Sequence, residues 1–458
     1  KDIPEGGAKG TILPNLGADP SRCFEKYVDS VLDLLIKDTS GIKEPIVDLV
    51  GSEEILFFGP DEGTANMMDW GAEHARLRGA PWWKSFTTGK TASTLGGVPH
   101  DEFGMTTLSI RQYIHGIINF LGLKEEDVTK VQTGGPDGDL GSNEILQSKD
   151  KTVAIIDGSG VLHDPIGIDR GELVRLAKER RMISHFDVSK LSPEGYRVLV
   201  EDRNVTLPSG QVITDGFAFR NRAHLLFKAD LFVPCGGRPE SINISNVNEL
   251  IKDGDKCNYK YIVEGANLFI TRQARLELEK HGVILYPDAS ANKGGVTSSS
   301  LEVLVGLSLS DDEYISNMLF VDGKPTQFYM DYVRDIQTNI ARNAHSEFEA
   351  IWREHKDTGK PRSLISTDMS NALNRLSLQI ENTNLFDQEV LRSKILKLVF
   401  PETLVNKVGL DVLVKRVPKS YLKSAFAAQV AAGFIYAKGP RASYVDFYDY
   451  VSALLQSS

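Results

Sequence analysis

From about residue 113 to residue 305, short apolar runs alternate with helical-period segments, and this alternation constrains the chain more than any other feature. TVAIID at 152–157, DLFVPC at 230–235, YIVEG at 261–265 and VILYPD at 283–288 are bounded runs of strand length, rich in β-branched and aromatic residues. GELVRLAKERR at 171–181 carries its apolar residues at helical spacing. Strands separated by helices read as βαβ units, which pair in parallel and carry helices on both faces. The expected fold class is therefore α/β, a doubly wound domain. Residues 200–222, with LPSG at 207–210, interrupt the alternation and predict a hairpin or long loop set into it.

The flanks read differently. Residues 1–112 mix short apolar runs with glycine-rich turns (GGAKG at 6–10, FFGPDEG at 57–63, TGKTASTLGG at 88–97), as a partial α/β domain would. Residues 306–458 carry long helical runs without strand signals, which predicts a helical C-terminal region. With 458 residues, two or three filled cores are expected. A net charge of −10 argues against a general nucleic-acid or anionic-membrane binder. No run approaches the length of a membrane-spanning helix. Cys23, Cys235 and Cys257 stand far apart, which excludes a disulfide framework and a cysteine-built zinc site and fits a reducing compartment. An intracellular setting is the expectation, the cytoplasm first and the mitochondrial matrix second, with any targeting segment upstream of Lys1.

TKVQTGGPDGDLGSNEILQS at 129–148 reads as a strand, a glycine cluster and a helix. Gly135, Gly138 and Gly141 stand three apart, so Gly138-x-x-Gly141 keeps only the second half of the dinucleotide fingerprint. Such a turn lets backbone touch a pyrophosphate and aims a helix N-terminus at it. The next run ends in Asp157, nineteen residues after Gly138, close to the spacing of a ribose-binding acid. A carboxylate there accepts both ribose hydroxyls of NAD and repels the 2′-phosphate of NADP. Residues 158–160 supply no offsetting cation, and Lys151 precedes the strand. The bland alternative makes Asp157 a turn residue before Gly158. The two features together favour NAD binding.

Two further groups attract notice. Lys9 sits among Gly6, Gly7 and Gly10, where partial desolvation would lower its pKa toward the range of acid–base work. Asp61 follows the apolar run in FFGPDEGT, at what would be a strand end facing a cleft. Each also has an ordinary reading, a solvated loop lysine and a Pro-Asp-x-Gly turn. The nine histidines show no metal-ligand spacing and are expected in core or surface roles, and no metal site is expected. Neither a nucleophile elbow nor a phosphate-binding P-loop is present. The Trp82-Trp83 and Met67-Met68 pairs are expected in the core.

Taken in order, GGAKG, GPDEGTANMMDW, TGK with its later GG, the glycine turn, VAIIDGSG, ADLFVPC, VEGAN and PDASANKGGVTSSSLE resemble the glutamate dehydrogenases. The wording of GPDEGTANMMDW, GAPWWKSFTTGK, GGVPHDEFGMT and QTGGPDGDLGSNEI is similar to the large-subunit, NAD-specific type of fungi and other eukaryotes. The resemblance covers roughly residues 1–305. It implies a substrate and catalytic domain over 1–112, incomplete at its N-terminus, a dinucleotide-binding domain over 113–305, and a helical region over 306–458. It also implies that two further substrate-binding lysines lie upstream, so a catalytic fragment of a longer polypeptide is expected.

By the same resemblance the chain is an oxidoreductase. It would convert L-glutamate, NAD and water reversibly into 2-oxoglutarate, ammonium and NADH, as a homo-oligomer, a tetramer or hexamer. Lys9 falls on the family's catalytic lysine and Asp61 on its catalytic aspartate. Ser299 falls on the serine that meets a substrate carboxylate, Thr106 on a threonine near the nicotinamide, and Asn267 and Asn292 on asparagines near nicotinamide or substrate. Two alternatives stay open: a leucine- or phenylalanine-type amino-acid dehydrogenase, and a non-catalytic NAD-binding regulator.

Overall fold

The computed structural model describes residues 3–4, 10–37, 41, 46–47, 49, 55–59, 64–252 and 256–456. Lys9 and Asp61 lie outside the described residues. Two helices, α1 (Pro20–Leu35) and α2 (Ala65–Leu77), come first, with a single parallel β-bridge between Phe58 and Thr87. Asp19 starts α1 by accepting from Ser21 N–H, with Pro20 at the first helical position, where its missing N–H costs nothing.

A seven-stranded sheet organises the middle of the chain. Its strands are β1 (Thr129–Thr133), β2 (Lys151–Ile156), β3 (Gly160–His163), β4 (Tyr196–Leu199), β5 (Ala229–Pro234), β6 (Tyr259–Val263) and β7 (Ile284–Tyr286), in the spatial order 7-6-5-1-2-3-4. The five from β7 to β2 run parallel, and each of the four expected runs forms one of them or the greater part of one. The wholly parallel sheet expected from the alternation is corrected at one edge. There β3 pairs antiparallel with β2, and β4 with β3. The chain reverses within Asp157–Gly160, too tightly for a crossover helix, so only antiparallel pairing is open to it. The segment 200–222 does hold a short hairpin, Val205–Thr206 against Val212–Ile213, but Gly216 already begins a helix.

Helices cover both faces. Successive residues alternate sides, as the pleat requires: Phe232 packs in the layer with Ala223 and Ala274, and Leu231 and Val233 in the opposite one. The first layer is supplied by α6 (Gly216–Leu226) and α7 (Arg272–Lys280). The other is supplied at one end by α4 (Asp139–Gln147) and α5 (Arg170–Glu179), through Ile145, Leu173 and Leu176 against Ile155 and Leu162. At its other end α3 (Met105–Leu121) packs Ile110, Tyr113 and Ile114 into the core that holds Val233, Val263 and Tyr286.

The helices that follow the sheet complete this layer. They are α8 (Gly294–Ser308), α9 (Asp311–Met318), α10 (Gln327–Thr358), α11 (Arg362–Glu381) and, further on, α12 (Lys419–Lys438). Phe348 of α10 lies against α3 so closely that a Cβ at Gly116 would come within 2.4 Å of its ring. Ile365 and Met369 of α11 join the core that holds Tyr286. Among the described residues no helix is long and apolar enough to cross a membrane.

Candidate active site

The chain runs from β1 to β2 on one side, whereas β5 pairs on the other. Loops leaving the C-terminal ends of β1 and β5 therefore diverge, which is where open α/β sheets leave a crevice. A cleft of about 2010 Å³ occupies this position. It is larger than the ~300–1,000 Å³ common for a single small ligand, with room for a dinucleotide and a substrate together. Of the residues singled out from sequence, Gly135, Gly138, Asp157, Thr106, Asn267, Asn292 and Ser299 line it. Gly10 and Gly59, close in sequence to Lys9 and Asp61, line it too.

One wall is the glycine turn. A Cβ at Gly135 would lie 2.4 Å from Asp157 Oδ2, and one at Gly141 would lie 2.2 Å from the Gly135 carbonyl oxygen. Both positions therefore need glycine for packing. Gly141 does not line the cleft; it lets α4 press against the turn. Gly138 differs, because a Cβ there would meet nothing nearer than the Gly135 oxygen at 3.7 Å, and its backbone is ordinary extended geometry. Neither packing nor backbone conformation requires glycine at 138. Gly138 also caps α4 without a side-chain hydrogen bond, so no side chain caps the first-turn N–H groups. These features fit a pyrophosphate.

Asp157 directly follows β2 and is 3% exposed. Its Oδ1 accepts from Ser159 N (2.8 Å), Ser159 Oγ (2.7 Å) and Gly160 N (3.3 Å), and its Oδ2 from Ile183 N (2.8 Å). Burial pushes its carboxyl above the usual range, against the pull of these hydrogen bonds. The turn role is thus filled, while the residue still borders the cleft. Residues 158–160 supply no cation, as read from sequence, but Arg220 of α6 does: it donates Nε–H to the Asp157 main-chain oxygen at 2.7 Å and lines the same cleft. It is 63 residues away in sequence, so no local motif could reveal it.

The opposite wall comes from α3, α8 and the loops between 87 and 104. Lys90 and Glu302 are fully buried and paired at 2.5 Å. Lys90 also donates to the carbonyls of Lys84 and Thr87, and Glu302 Oε2 accepts from Gly89 N (2.9 Å) and Val98 N (3.0 Å). One ion pair thus ties the TGK loop and the GGV loop to α8. Three tail tyrosines add to it. Tyr314 OH donates to the Leu95 and Gly96 oxygens, Tyr329 OH to the Gly97 oxygen at 2.7 Å, and Tyr332 OH to the Leu301 oxygen at 2.7 Å.

Between the walls, the two asparagines touch: Asn292 Nδ2 donates to Asn267 Oδ1 at 2.8 Å and to the Gly265 oxygen at 2.7 Å. Behind them Arg275 grips Glu264 with two hydrogen bonds and Asp288 with one, and Asp288 Oδ2 accepts from Leu268 N at 2.7 Å. Burial pushes the Glu264 carboxyl up to about 7, with Arg275 opposing. Glu347 of α10 holds the other side, accepting from Ser290 Oγ (2.6 Å) and Lys293 Nζ (2.8 Å), residues that flank Asn292. Thr106 opens α3 beside Gly295. Ser299 is buried, with its Oγ 3.0 Å from His100 Nε2 and 3.2 Å from Thr88 Oγ1. His100 lies within GGVPHDEFGMT but was given no site role there, being expected in a core or surface role like the other histidines. The structure puts it in the cleft instead.

Comparison with known proteins shows the family of the chain. Residues 96–359 match the Glutamate/Leucine/Phenylalanine/Valine dehydrogenase family. The chain is 57% identical over 458 residues to the NAD-specific glutamate dehydrogenase of Neurospora crassa, covering 99% of this chain and 43% of that protein. It is 53% identical over 458 residues to a probable NAD-specific glutamate dehydrogenase of Schizosaccharomyces pombe, covering 99% of this chain and 41% of that one. It is 50% identical over 462 residues to glutamate dehydrogenase 2 of Dictyostelium discoideum, covering 100% of this chain and 44% of that one. The chain therefore spans less than half the length of these relatives. Its own cleft and the family match lead to one conclusion: the chain belongs to the Glutamate/Leucine/Phenylalanine/Valine dehydrogenase family.

Proposed function

We propose that this chain is the catalytic part of an NAD-dependent glutamate dehydrogenase, converting L-glutamate and water reversibly into 2-oxoglutarate and ammonium. The observation that carries this reading is the cleft lined jointly by Gly135, Gly138 and Asp157 on one wall and by Thr106 and Ser299 on the other, with Asn292 between them. Two of the relatives above are named as NAD-specific glutamate dehydrogenases, one of them as a probable one.

In this reading the glycine turn and the N-terminus of α4 hold the pyrophosphate, Asp157 the adenosine ribose, and Asn267 with Asn292 the nicotinamide end. When bound, NAD supplies a ring carbon that accepts a hydride from the substrate Cα. Ser299 donates its hydroxyl hydrogen to the substrate's side-chain carboxylate, which separates glutamate from apolar amino acids. Neutral Lys9 takes a proton from the attacking water, and Asp61 holds the proton that leaves with the amine. Their roles are supported by Gly10 and Gly59, which border the same cleft. Closure of the two walls would keep bulk water away from the reacting carbon.

Residues 1–112, 113–305 and 306–458 serve here as substrate domain, dinucleotide domain and helical support. A homo-oligomer is part of the same reading, by family likeness. The test uses the full-length protein with NAD and, separately, L-glutamate, L-leucine and no amino acid. Growth of the reduced-nicotinamide absorbance with glutamate alone is expected. Growth with leucine instead would make the chain a branched-chain enzyme, and no growth with either would leave an NAD-binding regulator.

A further inference from the structure

His100 belongs to the GGVPHDEFGMT loop of the opposite wall, and it touches the hydroxyl proposed above to select the substrate. Its Nε2 lies 3.0 Å from Ser299 Oγ, and Thr88 Oγ1 lies 3.2 Å from the same oxygen. His100 and Ser299 both line the cleft. The ring lies beside Gly295, where a Cβ would stand 3.4 Å from His100 Nδ1.

A serine hydroxyl has one hydrogen and two lone pairs. If Ser299 gave its hydrogen to His100, an oxygen lone pair would face the cleft and repel a carboxylate. If His100 and Thr88 both donate to Ser299 Oγ, its lone pairs are occupied and its hydrogen is left for a third partner. We propose that His100 is a specificity-determining positioning residue, which donates Nε2–H to Ser299 Oγ and thereby turns the Ser299 hydrogen toward the substrate's side-chain carboxylate. This rests on the reading of Ser299 given above.

The charge state agrees with a ring that carries one N–H. Burial lowers the His100 pKa, against the opposing pull of Glu302, Asp101 and Asp139. A neutral imidazole must choose which nitrogen carries its hydrogen. The hydroxyl at Nε2 is the only hydrogen-bond partner it has among the described residues.

The experiment compares the full-length enzyme with its His100→Leu and His100→Gln variants. It reads kcat and KM for L-glutamate and for L-norvaline, which has the same carbon chain without the side-chain carboxylate, and it checks NAD binding in each. His100→Leu should lower the glutamate-to-norvaline ratio of kcat/KM by roughly 10- to 100-fold, the range for a lost hydrogen bond to a charged group. The loss should fall mainly on KM for glutamate, and norvaline turnover should hold. His100→Gln places an amide N–H where Nε2–H stood and should restore most of the ratio. In a Ser299→Ala background, His100→Leu should change the ratio no further. Should His100→Leu fail to bind NAD, His100→Asn, whose amide reaches only the Nδ1 place, substitutes with the same expectation. An unchanged ratio in the leucine variant of a glutamate-preferring enzyme would overturn the His100 assignment alone. An unmutated enzyme without preference for glutamate would overturn the reading of Ser299, and this proposal with it.

Discussion

The two walls of the cleft are built by different means. The wall proposed for the cofactor is backbone: a glycine turn, a helix N-terminus and an acid that caps its own turn, with most contacts inside residues 133–160. The wall proposed for the substrate is held by buried polar side chains that reach across the chain. Lys90 meets Glu302 from 212 residues away, and Tyr329 meets Gly97 from 232. A backbone wall is rigid wherever its turn folds. A side-chain wall is only as well placed as the helices that carry it, which here include the tail helices α9 and α10. Tyrosines of the C-terminal helical region thus tie down the 95–97 loop and α8 in this wall.

If that difference is real, the largest effect should come from the ion pair. Lys90→Met leaves Glu302 buried without its cation, which costs about 3–5 kcal/mol, and the urea midpoint should fall accordingly. Replacing both partners by apolar residues of similar volume should recover much of the loss. A midpoint unchanged by Lys90→Met would mean the substrate wall does not depend on this pair.

The cofactor wall should respond in preference before stability. Asp157→Ser removes the carboxylate proposed to hold the NAD ribose and to repel the 2′-phosphate of NADP. With Arg220 already in that corner, the NAD-to-NADP ratio of kcat/KM should fall by roughly 10- to 100-fold, about 1.5–3 kcal/mol. Adding Arg220→Gln should take back the NADP gain. Equal use of both cofactors by the unmutated enzyme would show that Asp157 serves only its turn.

Within that wall, two glycines should part company. Gly141→Ala drives a methyl into the Gly135 oxygen and should cost about 1–3 kcal/mol of stability. Gly138→Ala meets no such neighbour, so its melting temperature should hold while NAD binding weakens. Equal stability losses would mean that Gly138 is needed for packing rather than for a ligand.

The smallest expected effect concerns pH. Burial lowers the His224 pKa to about 4. The unfolded chain binds this proton below about pH 6.5, and the folded chain does not until about 4. Stability from this group is therefore present above pH 6.5 and is lost as pH falls toward 4. Between pH 6.5 and 5 the loss should be about 1–2 kcal/mol. His224→Phe keeps a ring beside Phe269 and should flatten that slope; an equal slope would place the titration elsewhere.

What could be read in advance follows the same division. The five parallel strands, the glycine turn and Asp157 are encoded by neighbours in sequence, through strand-length apolar runs and a spacing of nineteen residues. β3 and β4 were not legible, because four-residue runs separated by a helix leave no periodicity to detect. Arg220, His100 and the Lys90–Glu302 pair were equally hidden, since each gains its meaning from a partner far along the chain. The tail carried no motif because its contribution is hydroxyls on packed helices, whose sequence reads as ordinary amphipathic pattern.

The central claim is that one cleft binds the dinucleotide on its backbone wall and does amino-acid chemistry at residues brought from elsewhere. It is tested most directly by Lys9→Ala in the full-length enzyme, with NAD affinity and glutamate turnover measured on the same preparation. The account predicts NAD affinity close to that of the unmutated enzyme and a kcat lower by at least ~100-fold, as loss of a general acid–base group produces. Turnover near that of the unmutated enzyme, with NAD still bound, would contradict it.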